Sequence, residues 1–288
     1  MVEQGLLDPG AIRSIAAELE LRPSKQRGQN FVIDQNTVRR LVSLSGAGPD
    51  DIVLEIGPGL GSLTLGLLTV ARTVTAVEID ERLADRLPRT VEERLGEDAA
   101  DRLNVIKADA LHVDALPDPQ PTMVVANLPY NVSVPVILHL LEQFPQWQRG
   151  LVMVQLEVAD RLAAPPGSKT YGAPSAKLAW YASATRVGTV PPKVFWPVPN
   201  VDSGLVEIVR RDPPATQASR GDTFAVIDAA FAQRRKMLRS VLAKKVGHAT
   251  SEAIEAAGVD PQSRGEALTI HQFAQIAAEL SSREVTVR

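Results

Sequence analysis

One short segment of this chain combines residue types that could orient a weak nucleophile. Asn127-Leu128-Pro129-Tyr130 follows an apolar run at 123–126. The exocyclic amino group of a nucleobase attacks poorly, since its lone pair is delocalised into the ring, so it has to be pyramidalised and aimed at its electrophile. The side-chain carbonyl of Asn127 and the backbone carbonyl of Leu128 could accept its two N–H groups. Pro129 would stiffen the turn, and Tyr130 would offer an aromatic face to an unstacked base.

A glycine-rich turn lies upstream of this segment. An apolar run at 52–56 leads into Gly57-Pro-Gly59-Leu-Gly61, and a second apolar run at 74–79 contains Glu78. Glycines let the main chain turn tightly against a ligand, and an acid at the end of the next strand accepts hydrogen bonds from ribose hydroxyls. A dinucleotide and S-adenosylmethionine (AdoMet) both suit this arrangement. The Gly-x-Gly-x-Gly spacing favours AdoMet, and a turn that only reverses the chain is the alternative without a ligand.

A parallel sheet would bring these segments together. Further apolar runs at 103–106 and 151–154 alternate with stretches of helical periodicity such as 83–95, which predicts βαβ units. The carboxyl ends of such strands form the ligand-binding edge of the sheet. Asp109 follows the run at 103–106 and would lie beside the glycine-rich turn. There it could accept a hydrogen bond from the adenine amino group of the cofactor, or it could cap a helix.

The pattern changes towards the C-terminus. Two extended stretches at 182–190 and 204–209 flank a proline-rich connection and predict an antiparallel pair at one edge of the sheet. A linker at 212–221 then precedes a helical pattern, in which Thr269 to Gln272 fits a capping box. We expect an α/β fold with three segments: an N-terminal helix and basic loop at 1–30, a Rossmann-like methyltransferase sheet at 31–211, and a small all-helical, RNA-binding domain at 212–288.

Composition excludes several kinds of site. The 288 residues contain no cysteine, which excludes a disulfide scaffold and a cysteine-ligated metal. They contain four scattered histidines, which argues against a histidine-rich metal site. We therefore expect no metal. The first twenty residues carry several acids and no apolar core of a signal peptide, and no apolar run approaches the length of a membrane span. A soluble, cytoplasmic protein is the expectation.

The net charge of −3 hides a strong asymmetry. Residues 22–40 carry a charge of +4 and residues 231–247 a charge of +6, so the rest of the chain carries −13. A uniformly acidic surface would disfavour nucleic acid, whereas two basic segments on an acidic body could bind it in one orientation. The charge distribution therefore predicts a polarised protein with an RNA partner.

Several motifs resemble those of one known family, the small-subunit ribosomal RNA adenine-N6,N6-dimethyltransferases, from about Pro23 to the C-terminus. Besides the glycine turn and Asn127-Leu-Pro-Tyr130, the matching segments are Gly28-Gln-Asn30-Phe-Val32, Tyr171-Gly172, Phe195-Trp-Pro-Val-Pro-Asn-Val-Asp202-Ser203 and Phe231-Ala-Gln-Arg234-Arg235-Lys236 with Leu238-Arg239. Two departures are Arg27, where relatives are usually apolar, and Leu156, where many carry lysine. Leu156 puts one phosphate contact in doubt.

The resemblance implies a role for each matching position. The residues that would bind the cofactor, AdoMet, are Asn30, Val32, Gly57, Gly59, Glu78, Asp109 and Asn127. Asn127, Leu128, Pro129 and Tyr130 would act on the target amine, with Phe195 as a second aromatic ring near the flipped base. The candidates for RNA contacts are the basic residues Arg27, Arg234, Arg235, Lys236 and Arg239.

The function implied by the resemblance is dimethylation of two adjacent adenines in a hairpin loop near the 3′ end of small-subunit rRNA, during subunit assembly. The partners would be this rRNA and the immature small subunit, bound by a monomer. One alternative is a resistance methyltransferase that acts on large-subunit rRNA, and another is an assembly factor that mainly binds RNA. An NAD-linked dehydrogenase is disfavoured, because no proton-transfer residue accompanies the glycine turn.

Overall fold

The computed structural model describes residues 5–21, 30–246 and 250–283. The chain forms two compact units. The first runs to Ala159 and resumes at Thr185–Arg210, and the second comprises Asp160–Ala184 and the residues from Arg211 onward. The sequence had assigned 160–184 to the sheet-containing segment. In the structure these residues contribute a helix that packs on the C-terminal helices, so the second unit is assembled from two separate stretches of chain.

A seven-stranded sheet organises the first unit. Its strands in spatial order are β4 (Leu103–Lys107), β3 (Thr73–Glu78), β2 (Ile52–Ile56), β5 (Met123–Asn127), β6 (Arg149–Gln155), β9 (Ser203–Arg210) and β7 (Ala182–Val190). The first five are parallel and β9 is antiparallel to β6. Every residue of β2 is buried, as expected of a central strand covered on both faces. The predicted α/β class with a mostly parallel sheet is confirmed.

Strand order determines where a ligand can bind. The chain moves outward from β2 to β3 and β4, then returns to place β5 on the other side of β2. At such a reversal the connections leave in opposite directions and open a crevice beyond the carboxyl ends of the two central strands. The predicted site segments follow β2, β3 and β5, so this topology brings all three to that crevice.

Helices connect the strands, and their ends follow local signals. The helices up to β6 are α1 (Pro9–Glu18), α2 (Gln35–Ser45), α3 (Ser62–Leu68), α4 (Glu81–Leu95), α5 (Glu97–Ala100) and α6 (Ser133–Gln143). Asp34 and Asp80 cap α2 and α4 by accepting backbone N–H groups of the first turn. Within the described residues, no helix is long and apolar enough to cross a membrane.

A two-stranded sheet fastens the start of the first unit to its end. β1 (Phe31–Val32) pairs antiparallel with β8 (Phe195–Trp196), which follows a 3-10 turn at Pro192–Val194. Ile33 N donates to the carbonyl of Val194 at 2.8 Å, which extends the pairing. Two segments that the resemblance had singled out separately are therefore neighbours.

The second unit is helical. It contains the end of α7 (Leu156–Leu162), then α8 (Ala173–Tyr181), α9 (Arg220–Ala232), α10 (Leu238–Val246), α11 (Thr250–Ala256) and α12 (Ile270–Ser282). Its core includes Phe273, which is fully buried and packs against Phe231, while Phe231 also packs against Tyr171. The predicted capping box is present, because Thr269 and Gln272 exchange side-chain to backbone hydrogen bonds.

Candidate active site

A cavity of about 960 Å³ opens at the carboxyl ends of β2, β3 and β5. Eight of the predicted site residues line it, from five separate stretches of chain: Asn30, Val32, Gly57, Gly59, Glu78, Asp109, Asn127 and Pro129. A cavity of this size lies near the upper end of the range for small-molecule sites. It is larger than one nucleoside-sized ligand requires, so a second group could enter beside the first.

The glycine turn, residues 57–61, forms one wall. Gly57, Gly59 and Gly61 all have positive φ angles, of 67°, 59° and 95°. A Cβ on Gly59 would lie 2.9 Å from the Phe31 ring, so this position combines a left-handed backbone with close packing. At Gly57 the nearest atom to such a Cβ would be 4.0 Å away, on Pro129. Gly57 therefore leaves its backbone open to a ligand.

Glu78 holds the glycine turn from the adjacent strand. One carboxylate oxygen accepts the N–H of Gly59 at 3.1 Å, and the other accepts the N–H of Asp80 at 3.0 Å. The side chain is 6 % exposed, and this burial raises the pKa of the Glu78 carboxyl. Glu78 lines the cavity, and each of its oxygens can accept a second hydrogen bond, which suits two neighbouring hydroxyl groups.

The side-chain amide of Asn127 has a defined direction. Its Nδ2 donates to the backbone carbonyl of Asn30 at 3.1 Å, so its Oδ1 is left as the acceptor. Leu128 N donates to the carbonyl of Met153 at 3.0 Å, which fixes the peptide that follows. Within the described part of the chain, no residue donates to Asn127 Oδ1 or to the Leu128 carbonyl. The two acceptors belong to adjacent residues, of which Asn127 lines the cavity and Leu128 does not.

The two aromatic residues lie off the cavity wall. Tyr130 is half-buried, and its hydroxyl lies 2.8 Å from Ser203 Oγ. Phe195 is 1 % exposed and packs in the hydrophobic core, because β8 pairs with β1 and turns this side chain inward. Phe195 therefore presents no ring face to a base in this structure, contrary to the expected role. Trp196, the next residue, is partly exposed and packs at 6.2 Å against Phe31.

Asp109 lies in the turn after β4, on the cavity wall. Its Oδ1 accepts the N–H of Leu111 at 2.9 Å, and its Oδ2 lies 3.2 Å from His112 Nδ1. The backbone bond is the local capping role that the sequence left open, and the side chain is still 38 % exposed. An amino group could approach the exposed part of the carboxylate.

The cavity also contains residues that the sequence did not single out: Phe31, Glu55, Ile79 and Asn131. Glu55 is 1 % exposed and accepts a hydrogen bond from Thr64 Oγ1 at 2.7 Å. Burial raises its pKa to about 8, and the nearby Glu78 acts in the same direction. Its signal was an acid inside an otherwise apolar strand. Ile79 had a signal too, since it directly follows Glu78, the acid predicted to bind ribose, and in the structure it is 68 % exposed.

The predicted RNA-contact residues of the second unit differ among themselves. They lie in the basic turn, residues 233–239, which connects α9 to α10 and includes the first two residues of α10. Arg234 forms an ion pair with Glu266 at 2.9 Å and also donates to the carbonyl of Lys169, so its guanidinium joins three segments of this unit. Arg235, Lys236 and Arg239 are exposed. The remaining candidate, Arg27, lies outside the described residues.

Comparisons with known proteins agree with this geometry. A family model described as ribosomal RNA adenine dimethylase matches residues 21–282. The chain is 61 % identical to ribosomal RNA small subunit methyltransferase A of Cutibacterium acnes, over 98 % of this chain and 96 % of that protein. It is also 61 % identical to the protein of the same name from Thermobifida fusca, over 94 % and 95 % of the two chains.

Solved structures show the same fold. A dimethyladenosine transferase from Plasmodium falciparum superposes with a TM-score of 0.74 at 22 % identity, covering 88 % of this chain and 98 % of that one. The 23S rRNA methyltransferase ErmE superposes with a TM-score of 0.62 at 27 % identity, covering 88 % and 100 %. Sequence identity is thus more than twice as high to the two small-subunit enzymes as to ErmE.

Proposed function

We propose that this chain, which belongs to the ribosomal RNA adenine dimethylase family, dimethylates N6 of two adjacent adenines in a 3′-terminal hairpin loop of small-subunit rRNA. The chain is an AdoMet-dependent rRNA methyltransferase. The proposal includes the choice of these adenines, action on an immature subunit in the cytoplasm, and binding as a monomer. Relatives at about 60 % identity that are named for the small subunit support it.

The cavity fits AdoMet. Glu78 offers two carboxylate oxygens for the ribose hydroxyls, and Asp109 offers a partly exposed carboxylate for the adenine amino group. Gly57 leaves the main chain open, and Val32 and Ile79 supply apolar wall on either side. AdoMet would bring an electrophilic methyl on a positively charged sulfur, and a cavity lined by acidic residues favours that charge.

The observation that carries the proposal is the direction of the Asn127 amide. Because Nδ2 is held by the Asn30 carbonyl, Oδ1 of Asn127 remains as an acceptor. The Leu128 carbonyl is a second acceptor, and the two together match the two N–H groups of an adenine N6 amine. Accepting both hydrogens concentrates the nitrogen lone pair away from the ring and aims it. No strong base is needed at this step, because orientation supplies most of the rate enhancement. The methylated nitrogen would lose its surplus proton to water after the C–N bond has formed and the bond from the methyl to sulfur has broken.

The target base has to leave its stack to reach these acceptors. Tyr130 follows directly after the acceptors and offers a half-buried ring for the extruded base. Phe195 is buried where β8 pairs with β1, so we assign it to the packing that supports β1 rather than to stacking. Arg235, Lys236 and Arg239 are exposed cations that could contact RNA phosphates.

Methyl transfer to defined RNAs tests the proposal. The protein is incubated with labelled AdoMet and either partly assembled small subunits whose adenines are unmethylated or protein-free large-subunit rRNA. The expected result is labelling of two adjacent adenines near the 3′ end of the small-subunit RNA, located by primer extension. Labelling of the large-subunit RNA alone would favour the ErmE-like alternative. RNA binding without any labelling would favour an assembly factor.

A further inference from the structure

A buried hydrogen bond connects the proposed base-stacking residue to a strand that lies outside the cavity. The hydroxyls of Tyr130 and Ser203 are 2.8 Å apart, and either can be the donor. Ser203 is 0 % exposed, and Tyr130 is half-buried. Neither Tyr130 nor Ser203 lines the cavity. The bond is therefore a support for the phenol ring rather than part of the cavity wall.

The position of Ser203 is set by the sheet. It is the first residue of β9, where it pairs with Gln155 of β6, and Leu156 N donates to the carbonyl of the preceding residue, Asp202, at 2.9 Å. β6 also pairs with β5, which ends at Asn127 just before Tyr130. The Ser203 hydroxyl thus belongs to a rigid framework on the far side of β6.

Anchoring the hydroxyl restricts both ends of the ring. The backbone of Tyr130 follows the fixed peptide of Leu128, and its phenol oxygen is held by Ser203. Rotation about the Cα–Cβ torsion would carry this oxygen away and break the bond, whereas rotation about the Cβ–Cγ torsion leaves the oxygen on the ring axis, so the bond fixes the position of that axis. Breaking the bond would leave a buried serine hydroxyl without this partner. Burial also raises the pKa of the Tyr130 phenol, so the group stays protonated at neutral pH and acts as a surface instead of a base.

We propose that Ser203 is a positioning residue for methyl transfer, which holds the Tyr130 ring in the place at which an extruded base stacks. This inference rests on the proposed function. Its consequence is that Ser203 affects the reaction only through Tyr130. Loss of the serine hydroxyl should therefore lower kcat, because the base is held less well, while the affinity for AdoMet stays the same.

A double-mutant cycle tests this proposal, with Ser203→Ala, Tyr130→Phe and the double variant. Both single changes remove the same bond and keep the ring, so each should lower kcat about tenfold, with AdoMet binding by calorimetry unchanged within twofold. The double variant should be no slower than the slower single variant, since the bond can be removed only once. Ser203→Thr restores a hydroxyl and should recover much of kcat.

Two further measurements separate this role from general stability. Ser45→Ala removes another buried hydroxyl, which donates to the Val42 carbonyl far along the chain from the site, and it should leave kcat unchanged. The chain has three tyrosines, so ring-labelled tyrosine gives three NMR signals, and only that of Tyr130 should shift in Ser203→Ala. Wild-type kcat in Ser203→Ala, multiplicative losses in the double variant, or an unmoved Tyr130 signal would overturn the inference. A wild-type protein that transfers no methyl to small-subunit rRNA would instead overturn the proposed function, and the NMR signal would still report whether Ser203 holds the ring.

Discussion

The cavity of the first unit and the basic turn of the second obtain their order in different ways. In the cavity, nearly every polar side chain is held by main-chain groups: Glu78 by two N–H groups and Asn127 by a carbonyl. In the basic turn, one arginine is held and three neighbouring cations are exposed. A group that must aim an atom is fixed before the substrate arrives, whereas groups that attract a phosphate chain can remain adjustable. Substitutions should therefore have large, specific effects in the cavity and small, summed effects in the basic turn.

The largest effect is expected from Asn127→Ala. It removes one of the two amine acceptors, and loss of a comparable preorganised group lowers kcat by about 100- to 1000-fold. RNA affinity in a filter-binding assay should change less than about twofold, because the proposed role of Asn127 towards the RNA is limited to the target amine. Asn104→Ala, on β4 and away from the cavity, is the matched control and should retain full activity. Transfer at the wild-type rate in Asn127→Ala would break the contrast between the two regions.

The next effect is expected from Glu78→Gln. An amide keeps the size of the side chain but offers one oxygen in place of two. Either the Gly59 or the Asp80 N–H therefore loses its acceptor, and one ribose hydroxyl loses its acceptor too. The Kd for AdoMet, measured by calorimetry, should rise about 10- to 100-fold, as for loss of hydrogen bonds to a charged group. Glu92→Gln, an exposed change on α4, should leave it unchanged. An equal Kd in both variants would remove Glu78 from the ribose.

Glu55, a buried acid of the cavity, makes the free energy of unfolding of the protein depend on pH. Its pKa is raised to about 8 in the folded protein and returns to an ordinary value on unfolding, so between about pH 5 and 8 the folded state binds a proton that the unfolded state releases. The free energy of unfolding should therefore fall as the pH rises, by up to about 1.4 kcal/mol per pH unit. Glu55→Gln should lack this contribution, as measured by urea denaturation at pH 5.5, 6.5 and 7.5. The exposed Glu207→Gln should keep the wild-type slope.

The smallest effects are expected in the basic turn. Arg235→Ala with Lys236→Ala should weaken RNA binding several-fold and reduce the salt dependence of log K by about 0.7–0.9 for each phosphate that is no longer neutralised. The melting temperature should not change, because both side chains are exposed. Arg234→Ala removes one charge of the same turn but also an ion pair and the hydrogen bond to the Lys169 carbonyl, so it should lower stability by about 0.5 kcal/mol. An unchanged stability in Arg234→Ala, as in the double variant, would show that the basic turn contains no fixed member.

The sequence was sufficient for features that depend on neighbours along the chain. The glycine turn, Glu78 after its strand and the acceptors Asn127 and Leu128 are local patterns, and the strands at 52–56 and 103–107 lie within a residue of their predicted bounds. Features that depend on distant contacts were missed or misjudged. Phe195 is buried because β8 pairs with β1, and Arg234 is engaged because Glu266 lies opposite it. Periodicity and spacing contain no information about such pairings.

The same limit explains the division into units. The sequence change near residue 182 marks the start of β7, but helix α8 before it already belongs to the second unit, where it packs on α9. An amphipathic helix can cover a sheet or join a bundle with the same pattern of apolar residues. Only the partner helix decides between these outcomes, and it lies some forty residues further along the chain.

The bond between Asn127 and the Asn30 carbonyl has a consequence for the order of synthesis. The glycine turn, Glu78 and Asn127 have all been translated once the first half of the chain is made. The segment that aims the Asn127 amide is held in place by β8, which is translated some seventy residues after Asn127. A growing chain would thus contain the residues of the glycine turn and Glu78 well before it has the aimed acceptor. The amine-binding acceptors would be complete only after β8 has been made, shortly before β9, the last strand of the sheet in chain order.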